Sequence, residues 1–404
     1  MNPGRRYQWI LVGLLSANFG IVFFDRNAIN VLMPFIQPEL GISNSAIGAL
    51  ASALSLSWAI AGLCVGRLSD FLGKRKIVLI IASLLFSAAS VISGIAGSFA
   101  MLLAARLLMG LAEGGVMPIS QALVVAEVEP QRRGLAMGAA QNVGANLLGN
   151  FLAPVILVAF ASAQGWRHAF FLAAAPGLAI SLLMAWLIRE PVQDRGAQRR
   201  TGPIRDVLRL RNVWLCIVLS ILLVAFLVVF AAFMPVYLVQ VLRMDKTTMS
   251  WLMSMWGLPS IAYAFLVTGA SDRIGRRLVV ISMGAISALI PLGVLVNPAG
   301  AWVLFILFGL AAAVSGIYPI VMATIPAETV SPSRVATVMG LTMGLGEVVG
   351  GVLSPGLAGL LADRFGLTAI VWVLLAISLG IVVASFGLEE TAPIILQNRR
   401  IQSG

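Results

Sequence analysis

Stretches of about 20 consecutive apolar residues recur along the whole of this chain, from Trp9 to Leu388. A helix of that length spans the hydrocarbon core of a bilayer, because each helical residue adds about 1.5 Å along the axis. Twelve such stretches can be counted. The pattern therefore predicts an all-α integral membrane protein with twelve transmembrane helices.

Composition excludes an ordinary soluble protein. The chain is 60% hydrophobic and 11% charged, whereas about a quarter of the residues in a soluble domain are charged. A net charge of +11 would fit a nucleic-acid-binding protein only if the basic residues clustered, and instead they lie in the loops. The single histidine and the separated Cys64 and Cys216 provide neither a metal cluster nor a nucleophile with its base. We therefore predict no nucleic-acid partner, no enzyme activity, no catalytic residue, no metal site and no cofactor.

The distribution of basic residues predicts the topology. When successive loops are assigned to alternate sides, 21 of the 27 Lys and Arg residues fall on the side of both termini and four on the other. The remaining two, Arg26 and Arg106, lie inside apolar stretches. Because cytoplasmic loops carry the excess of Lys and Arg, we expect a multi-pass protein of the cell inner (plasma) membrane with both termini cytoplasmic. We therefore expect the protein to be surrounded by the lipid bilayer.

The sequence also divides into two related halves. The longest polar stretch, residues 190–212, is predicted to be a cytoplasmic linker between a six-helix N-terminal half (1–189) and a six-helix C-terminal half (213–404). Seven or eight residues recur at an offset of 201 or 202 positions, among them Pro118, Glu127, Arg133, Gly149 and Pro154, which recur as Pro319, Glu328, Arg334, Gly350 and Pro355. Six spans separate the copies, so both halves have the same orientation. This arrangement is typical of transporters in which two halves rock about a central site.

A loop motif identifies a superfamily. The segment that follows the second apolar stretch reads GRLSDFLGKRK (66–76), and its partner reads SDRIGRR (271–277), with Thr268 in place of the leading glycine. The first segment resembles the loop signature of the major facilitator superfamily, and the second is a degenerate copy. Asp70 and Asp272 can cap a neighbouring helix N-terminus, while the basic residues pair with acids or lipid headgroups. The predicted conformational loop motif consists of Gly66, Asp70, Gly73, Arg75, Asp272, Gly275 and Arg277.

Three shorter motifs carry a narrower resemblance. They read FDRNAINVLMP (24–34), RLLMGLAEGG (106–115) and MPVYLVQ (234–240). Together they are similar to the anion:cation symporter family, whose members include sugar-acid, hexuronate and vesicular organic-anion transporters. The resemblance implies a secondary active transporter that works by alternating access, with proton-coupled symport of a small organic anion such as a carboxylate or sugar acid. We expect a monomer whose partners are that anion and protons.

Five ionisable residues lie within the apolar stretches: Asp25, Arg26, Arg106, Glu113 and Glu347. A charge at bilayer depth costs about 2.5 to 3.5 kcal/mol, so each such residue is a candidate for function. At the 201 offset, the first four correspond to Phe226, Leu227, Leu307 and Val314. The same architecture therefore accepts apolar residues at all four positions. The alternative is a buried ion-pair network that fixes helix packing.

The side-chain chemistry suggests a division of roles. Arg106 and Glu113 are seven residues apart and share one helix face, about 10 Å apart along the axis. The adjacent Asp25 and Arg26 point about 100° apart, so we expect Arg26 in a central cavity and Asp25 paired with a neighbour, with Arg106 the first candidate. Arginine keeps its charge and offers forked donors to a carboxylate, whereas acids change protonation when desolvated. We predict that Arg26 and Arg106 bind substrate and that Asp25 and Glu113 couple protons, a division that the family resemblance also implies.

Further candidates carry less specific signals. Glu347 is either a second protonatable group, a residue that recognises a hydroxyl or amine of the substrate, or a bystander among glycines that pack helices closely. Trp58, Gln141, Asn142 and Tyr318 are predicted to contribute to substrate binding, the alternative for the aromatic residues being simple packing.

Two other transport classes fit the sequence less well. A proton-coupled efflux antiporter of small molecules is the alternative function, but its usual fifth-span Gly-Pro-Gly-Gly pattern is absent, since that stretch reads GANLLGNFLAP. Two intramembrane arginines also disfavour a cationic substrate. A channel is disfavoured because a two-fold repeat with buried acids in one half suits alternating access better.

Overall fold

The computed structural model describes residues 3–72, 74–190, 207–296, 301–331 and 334–397. All regular structure within these residues is helical. Twelve of the helices are long and apolar enough to cross a membrane. The predicted all-α architecture of twelve spans is therefore confirmed.

The spans are numbered here in chain order. Six of them are continuous α-helices: span 1 Pro3–Leu40, span 2 Asn44–Leu72, span 3 Arg75–Gly94, span 6 Trp166–Leu187, span 7 Arg211–Gln240 and span 12 Thr368–Phe386. The others change helix type or direction within their length: span 4 Phe99–Glu127, span 5 Pro130–Gln164, span 8 Lys246–Ile274, span 9 Arg276–Val296, span 10 Trp302–Thr329 and span 11 Thr337–Phe365.

Several serine hydroxyls are accommodated in the spans because they bond to their own helix. Ser87 donates to the Ser83 carbonyl at 2.9 Å, and Ser181 donates to the Gly177 carbonyl at 2.7 Å. Ser378, in span 12, does the same toward Leu374 at 3.0 Å. An unbonded hydroxyl would be costly where water is absent, so this local bonding lets polar residues enter an apolar helix.

The chain forms two compact units. Unit 1 comprises Met1–Arg195 and Pro235–Leu258, and unit 2 comprises Gly196–Met234 and Pro259–Gly404. Unit 1 thus contains a segment, Pro235–Leu258, that the sequence division at 190–212 assigns to the C-terminal half. Most of the predicted linker, 191–206, lies outside the described residues.

The segment Pro235–Leu258 joins unit 1 through contacts that sequence periodicity does not reveal. Gln240 Nε2 donates to Gln37 Oε1 at 2.9 Å, and the Ser254 hydroxyl donates to the Phe151 carbonyl at 2.9 Å. Gly257 packs so closely on Phe151 that any Cβ at this position would overlap the Phe151 backbone. The ends of spans 7 and 8 are therefore fixed to spans 1 and 5.

The internal repeat extends to helix type and to packing. Ala145–Leu152 in span 5 and Gly346–Leu353 in span 11 are both π-helices, and they are 201 residues apart. Within unit 1, a Cβ on Gly149 would overlap Phe23; within unit 2, a Cβ on Gly350 would overlap the Ile221 carbonyl oxygen and touch Val224. Since Phe23 and Val224 are also 201 apart, each unit uses the same glycine contact. π-Helical turns concentrate at functional sites.

We expect Gly149→Ala and Gly350→Ala each to destabilise the protein by about 1 to 3 kcal/mol, because the added methyl group forces two helices apart. The measurement is thermal unfolding of the purified protein in detergent. Gly138→Ala and Gly340→Ala are matched controls, since a Cβ at either position meets nothing within 4 Å. Equal unfolding temperatures for the four variants would show that the close glycine contacts are unimportant.

Candidate functional site

Asp25 is fully buried in unit 1 and faces span 3. The Ser90 hydroxyl lies 2.6 Å from Asp25 Oδ1 and 3.2 Å from the Phe170 carbonyl oxygen of span 6. Asp25 Oδ2 has no hydrogen-bond partner among the described residues. The expected neighbour of Asp25 was Arg106, but the residue bonded to the carboxylate is Ser90, because the side chain of Asp25 points toward span 3.

A second polar contact joins the same two helices. The Ser83 hydroxyl donates to Asn18 Oδ1 at 2.9 Å, and both residues are buried. Asn18 precedes Asp25 by seven residues, as Ser83 precedes Ser90, so the two contacts repeat at a spacing of two helical turns. Spans 1 and 3 are thereby held in one register, with the ionisable contact at Asp25.

Arg106 and Glu113 are buried on one face of span 4, each about 1% exposed. The only hydrogen bond of the Arg106 side chain to a described residue runs from Nη1 to the Arg26 carbonyl at 3.4 Å; Nε and Nη2 have no partner. Neither oxygen of the Glu113 carboxylate has one either. Within the described part of the chain, these charged groups are therefore buried without the hydrogen bonds that normally accompany burial.

The four ionisable side chains within the apolar stretches of unit 1, Asp25, Arg26, Arg106 and Glu113, form one electrostatic cluster. The charges of Asp25, Glu113 and Arg26 all act on Arg106. Glu113 in turn interacts with Arg26, Asp25 and Arg106. No acidic oxygen of the cluster lies within 4.0 Å of a cluster guanidinium, judged over the residues that the structure describes. The cluster is thus a set of interacting charges without tight ion pairs.

Arg26 differs from its neighbour in accessibility. Asp25 is fully buried, whereas the side chain of Arg26 is partly exposed. The Arg26 guanidinium carbon lies 5.8 Å from the centre of the Phe23 ring, within the range of a cation–π contact. The divergence of the two side chains agrees with the 100° expected between adjacent helical residues.

Glycines bring span 2 against the turn of span 4 that carries Glu113. A Cβ on Gly110 would overlap Ser57, and a Cβ on Gly114 would overlap the Trp58 carbonyl oxygen. The absence of side chains at these two positions therefore places Trp58, which is partly buried, beside the Glu113 turn. The sequence predicts that Trp58 contributes to substrate binding. The close packing of Gly110 and Gly114 against span 2 explains why Trp58 lies next to span 4.

Amide side chains extend from span 1 along span 5. Asn27 Nδ2 lies 3.0 Å from the Gly149 carbonyl oxygen and 2.9 Å from Asn150 Oδ1. Asn150 donates to Asn146 Oδ1 at 2.9 Å, and Asn146 donates to the Asn142 carbonyl at 3.0 Å. The sequence predicts a binding role for Asn142, whereas Asn27 and Asn150 were missed. The four-residue spacing of the asparagines in span 5 was the available signal.

Gln141 and Asn142 are both partly buried in span 5. Asn142 donates to the Gly138 carbonyl at 3.2 Å. Both lie in or beside the π-helical turn Ala139–Val143, where the departure from regular α-helix changes which side chains share a face.

In unit 2 the corresponding interior is apolar. Phe226 and Val314, the equivalents of Asp25 and Glu113, are each about 1% exposed. The Phe226 ring stacks on Phe230 with centroids 6.1 Å apart. The buried positions that hold charge in unit 1 are therefore filled by hydrocarbon in unit 2.

The polar candidates of unit 2 lie at different repeat positions. The Tyr318 hydroxyl donates to the Leu223 carbonyl at 2.7 Å. Glu347 is the second residue of the π-helix Gly346–Leu353 and interacts electrostatically with Tyr318. The structure therefore places Glu347 and Tyr318 near each other, which sequence separation gave no reason to expect.

The second copy of the loop motif forms an ionic network around the buried Arg276 in unit 2. Arg276 Nη2 lies 2.6 Å from Asp272 and 3.0 Å from Glu328. The backbone nitrogens of Arg276 and Arg277 donate to the Glu390 carboxylate at 2.8 and 3.3 Å. Glu390 therefore caps the N-terminus of span 9, while Asp272, which was expected to cap a helix, pairs with Arg276 one turn away.

The first copy is only partly described. Gly73 and the side chains of residues 66–72, Asp70 among them, lie outside the described residues. Arg75 Nη1 lies 3.4 Å from the Ala122 carbonyl oxygen, and the backbone nitrogen of Lys76 donates to Glu190 at 3.1 Å. Glu190 and Glu390 thus accept equivalent backbone hydrogen bonds in the two units.

Comparison with known proteins agrees with this description. The profile of the Major Facilitator Superfamily matches residues 15–245 and 229–400. The probable sulfoacetate transporter SauU of Cupriavidus necator is 27% identical over 391 residues, which cover 91% of this chain and 90% of that protein. The sialic acid transporter NanX of Escherichia coli is 27% identical over 69% of this chain and 67% of its own. The gallate transporter of Pseudomonas putida is 33% identical over 49% of this chain and 43% of its own.

Solved structures share the fold. The nucleoside transporter NupG superposes with a TM-score of 0.78 at 15% identity, covering 93% of this chain and 98% of that one. A bacterial homologue of the human lysosomal transporter Spinster gives a TM-score of 0.73 at 19% identity, with 96% of each chain covered. The resemblance inferred from the loop signature and the three short motifs is therefore confirmed. This chain is a multi-pass membrane transporter, not an enzyme, and it belongs to the Major Facilitator Superfamily.

Proposed function

We propose that this chain carries a small organic anion across the membrane together with protons, by alternating access. The observation that carries the proposal is the cluster of Asp25, Arg26, Arg106 and Glu113, which is mostly buried and lacks tight ion pairs. Support for an anionic substrate comes from the names of similar proteins, since sulfoacetate, sialic acid and gallate are all organic anions at neutral pH.

Charge balance in the cluster explains how the two fluxes are coupled. With all four groups ionised, two guanidinium groups balance two carboxylates and the net charge is zero. A bound proton alone leaves one positive charge, and a bound monovalent anion alone leaves one negative charge. Binding both restores neutrality. An unbalanced charge at bilayer depth costs about 2.5 to 3.5 kcal/mol, roughly a 100-fold penalty, so empty and doubly loaded states are the ones that reorient.

This balance makes the binding of anion and proton mutually reinforcing. Because each ligand lowers the cost of the other, the coupling must be reciprocal. The stoichiometry then follows the charge of the substrate: one proton accompanies a monovalent anion, and two accompany a divalent anion. Two acids in the cluster are enough for either case.

The arginines differ in the step that each one serves. Arg26 is partly exposed and is the cation that an incoming carboxylate meets first. Arg106 is buried and interacts electrostatically with both acids, and its Nε and Nη2 have donor capacity that no described residue uses. A planar carboxylate, or two oxygens of a tetrahedral sulfonate, can satisfy such paired donors, because the guanidinium fork matches the spacing of two such oxygens.

Neutral parts of the substrate require other contacts. We assign Trp58, Gln141 and Asn142 in unit 1 to these groups, with Asn27 and Asn150 orienting the amides of span 5. In unit 2, we assign Glu347 and Tyr318, which interact electrostatically, to a hydroxyl or amine of the substrate, with Glu347 also a second protonatable group. The loop motif residues Asp272, Gly275 and Arg277, with their equivalents in the first copy, are assigned to conformational change in an inner-membrane monomer with cytoplasmic termini.

The proposal is tested by screening the purified protein for thermal stabilisation by mono- and dicarboxylates, sugar acids, aromatic acids and sulfonates. A ligand that binds only the folded state raises its stability. Each stabilising anion is then supplied in labelled form to proteoliposomes, with and without an inward proton gradient. Gradient-dependent accumulation of one of them supports the proposal. Stabilisation and uptake only by organic cations would refute it.

Ser90→Ala is expected to displace the pH profile of uptake by about one to two pH units. The Ser90 hydroxyl bonds to Asp25, and a hydrogen bond to a charged group contributes about 1.5 to 3 kcal/mol, while one pH unit corresponds to about 1.4 kcal/mol. Ser83→Ala is the matched control, since Ser83 makes the equivalent contact to the non-ionisable Asn18. If both variants kept the parental profile, Asp25 would not be a coupling group.

A further inference from the structure

A cavity of about 660 Å³ lies on unit 2, and its lining includes no residue of the charged cluster. Its walls come from the first residue of span 7, the junction of spans 8 and 9, and the residues that follow span 12. Polar and charged groups form one part of the lining: Arg211, Arg277, Glu389 and Glu390. All of these lie on the side to which the sequence assigns most of the basic residues.

The rest of the cavity wall is apolar and open. Ile274, Leu278 and Phe386 are 54%, 53% and 56% exposed. Large apolar side chains with this exposure, next to a charged rim and at the end of membrane spans, are suited to an acyl chain. A volume of this size is typical of a site for a whole small molecule, so a single inorganic ion would leave the apolar wall uncovered.

The charged groups of the rim differ in how far other groups of the protein compensate their charge. The Glu390 carboxylate accepts from four backbone nitrogens, those of Arg276, Arg277, Thr391 and Ala392, at 2.8 to 3.3 Å. The Glu389 carboxylate lies 3.8 Å from Arg211 Nη1. Both acids are therefore compensated within the protein.

Arg277 is left as the available cation. Its guanidinium donates through Nη2 to the Phe386 carbonyl at 2.8 Å, which holds it at the rim, and it forms no ion pair with any described residue. The rim holds two arginines and two glutamates. Because Glu390 is satisfied by backbone N–H groups and Glu389 lies beside Arg211, the Arg277 guanidinium, next to the apolar wall, is the rim charge without a carboxylate partner among the described residues. This combination is complementary to a phosphate group linked to acyl chains.

We propose that this cavity binds an anionic phospholipid, with its phosphate at Arg277 and Arg211 and an acyl chain along Ile274, Leu278 and Phe386. Basic pockets at the cytoplasmic ends of spans are suited to such headgroups, and one basic residue near the surface contributes about 1 kcal/mol. The proposal does not depend on which anion is transported.

Native mass spectrometry of the purified protein, titrated with phosphatidylglycerol, tests the proposal. Arg211→Gln and Arg277→Gln should each weaken binding about five-fold, the factor that corresponds to loss of one such contact. Arg209→Gln is the matched control, because it removes the same charge two residues from Arg211 at a position that does not line the cavity. The Arg211 side chain is 61% exposed, so its replacement should not disturb folding.

Two outcomes would overturn the proposal. Equal phosphatidylglycerol binding by the Arg211→Gln, Arg277→Gln and Arg209→Gln variants would show that the rim does not recognise the headgroup. Displacement of the lipid by an equal concentration of soluble glycerol phosphate would assign the cavity to a soluble phosphate compound instead. Phosphatidylcholine, which has no net charge, should bind more weakly than phosphatidylglycerol, and equal binding would contradict the assigned charge complementarity.

Discussion

A Glu113→Gln variant is expected to exchange labelled for unlabelled anion across a proteoliposome membrane while losing the ability to accumulate it. The amide removes one negative charge from the buried cluster, which then carries a net positive charge when empty. The anion-loaded variant is neutral without a proton and can reorient. The empty variant carries a charge that costs about 2.5 to 3.5 kcal/mol at bilayer depth, so its return is slowed roughly 100-fold.

The measurements are uptake under an inward proton gradient and counterflow without one. We expect the accumulation ratio of Glu113→Gln to fall to about one while counterflow persists, and Asp25→Asn to behave in the same way. Glu129→Gln serves as control, because Glu129 is a partly exposed acid in the loop after span 4, where it pairs with Arg132. If both cluster variants accumulated the anion as the parent does, coupling would have to be reassigned to Glu347.

Arg106→Lys is expected to weaken anion binding by roughly ten- to a hundred-fold, although the charge is retained. A lysine cannot offer the paired donors of a guanidinium, and a lost hydrogen bond to a charged group costs about 1.5 to 3 kcal/mol. The measurement is the thermal-shift titration of the transported anion. The protein should still reach the membrane, since Leu307 fills the equivalent position in unit 2.

Arg26→Lys is the companion variant, and Arg132→Lys, at an exposed position in the first turn of span 5, is the control. Parental affinity in both the Arg26→Lys and Arg106→Lys variants would show that neither arginine clamps the anion. A loss confined to Arg26→Lys would instead leave Arg106 the role of balancing the charge of Asp25 and Glu113.

The sequence was sufficient to predict the spans, the repeat and the family. Hydropathy determines where a helix crosses a bilayer, because a span has few other ways to satisfy its backbone. The offset of 201 predicted equivalent positions correctly, as the packing of Gly149 and Gly350 against equivalent helices shows. These features depend on local composition and on spacing, both of which can be read from one chain.

Contacts between spans could not be predicted from one chain. Ser90 is one of many serines in an apolar helix, and only the packing of spans 1 and 3 shows that it bonds to Asp25 while its neighbours bond to their own backbone. Asn27 lies beside Asn150 because the π-helix of span 5 changes the direction of its side chains. Such pairings depend on which helices are neighbours and on their rotation, which hydropathy does not encode.

The segment Pro235–Leu258 illustrates the same limit. Sequence order and the repeat assign it to the C-terminal half, yet Gln240 and Ser254 bond to residues of spans 1 and 5. Small and amide side chains in an apolar segment are compatible with many partners. The chain therefore passes between the two units not only at the predicted linker but also on either side of Pro235–Leu258.

The most direct test of anion and proton symport is proton movement caused by the anion itself. Proteoliposomes that contain a pH-sensitive dye receive the labelled substrate at equal internal and external pH, with the membrane potential clamped at zero. The cluster's charge balance predicts that the interior acidifies as the anion enters, with one proton for a monovalent and two for a divalent substrate. Anion entry without acidification, or with alkalinisation of the interior, would contradict symport, and the second result would indicate antiport.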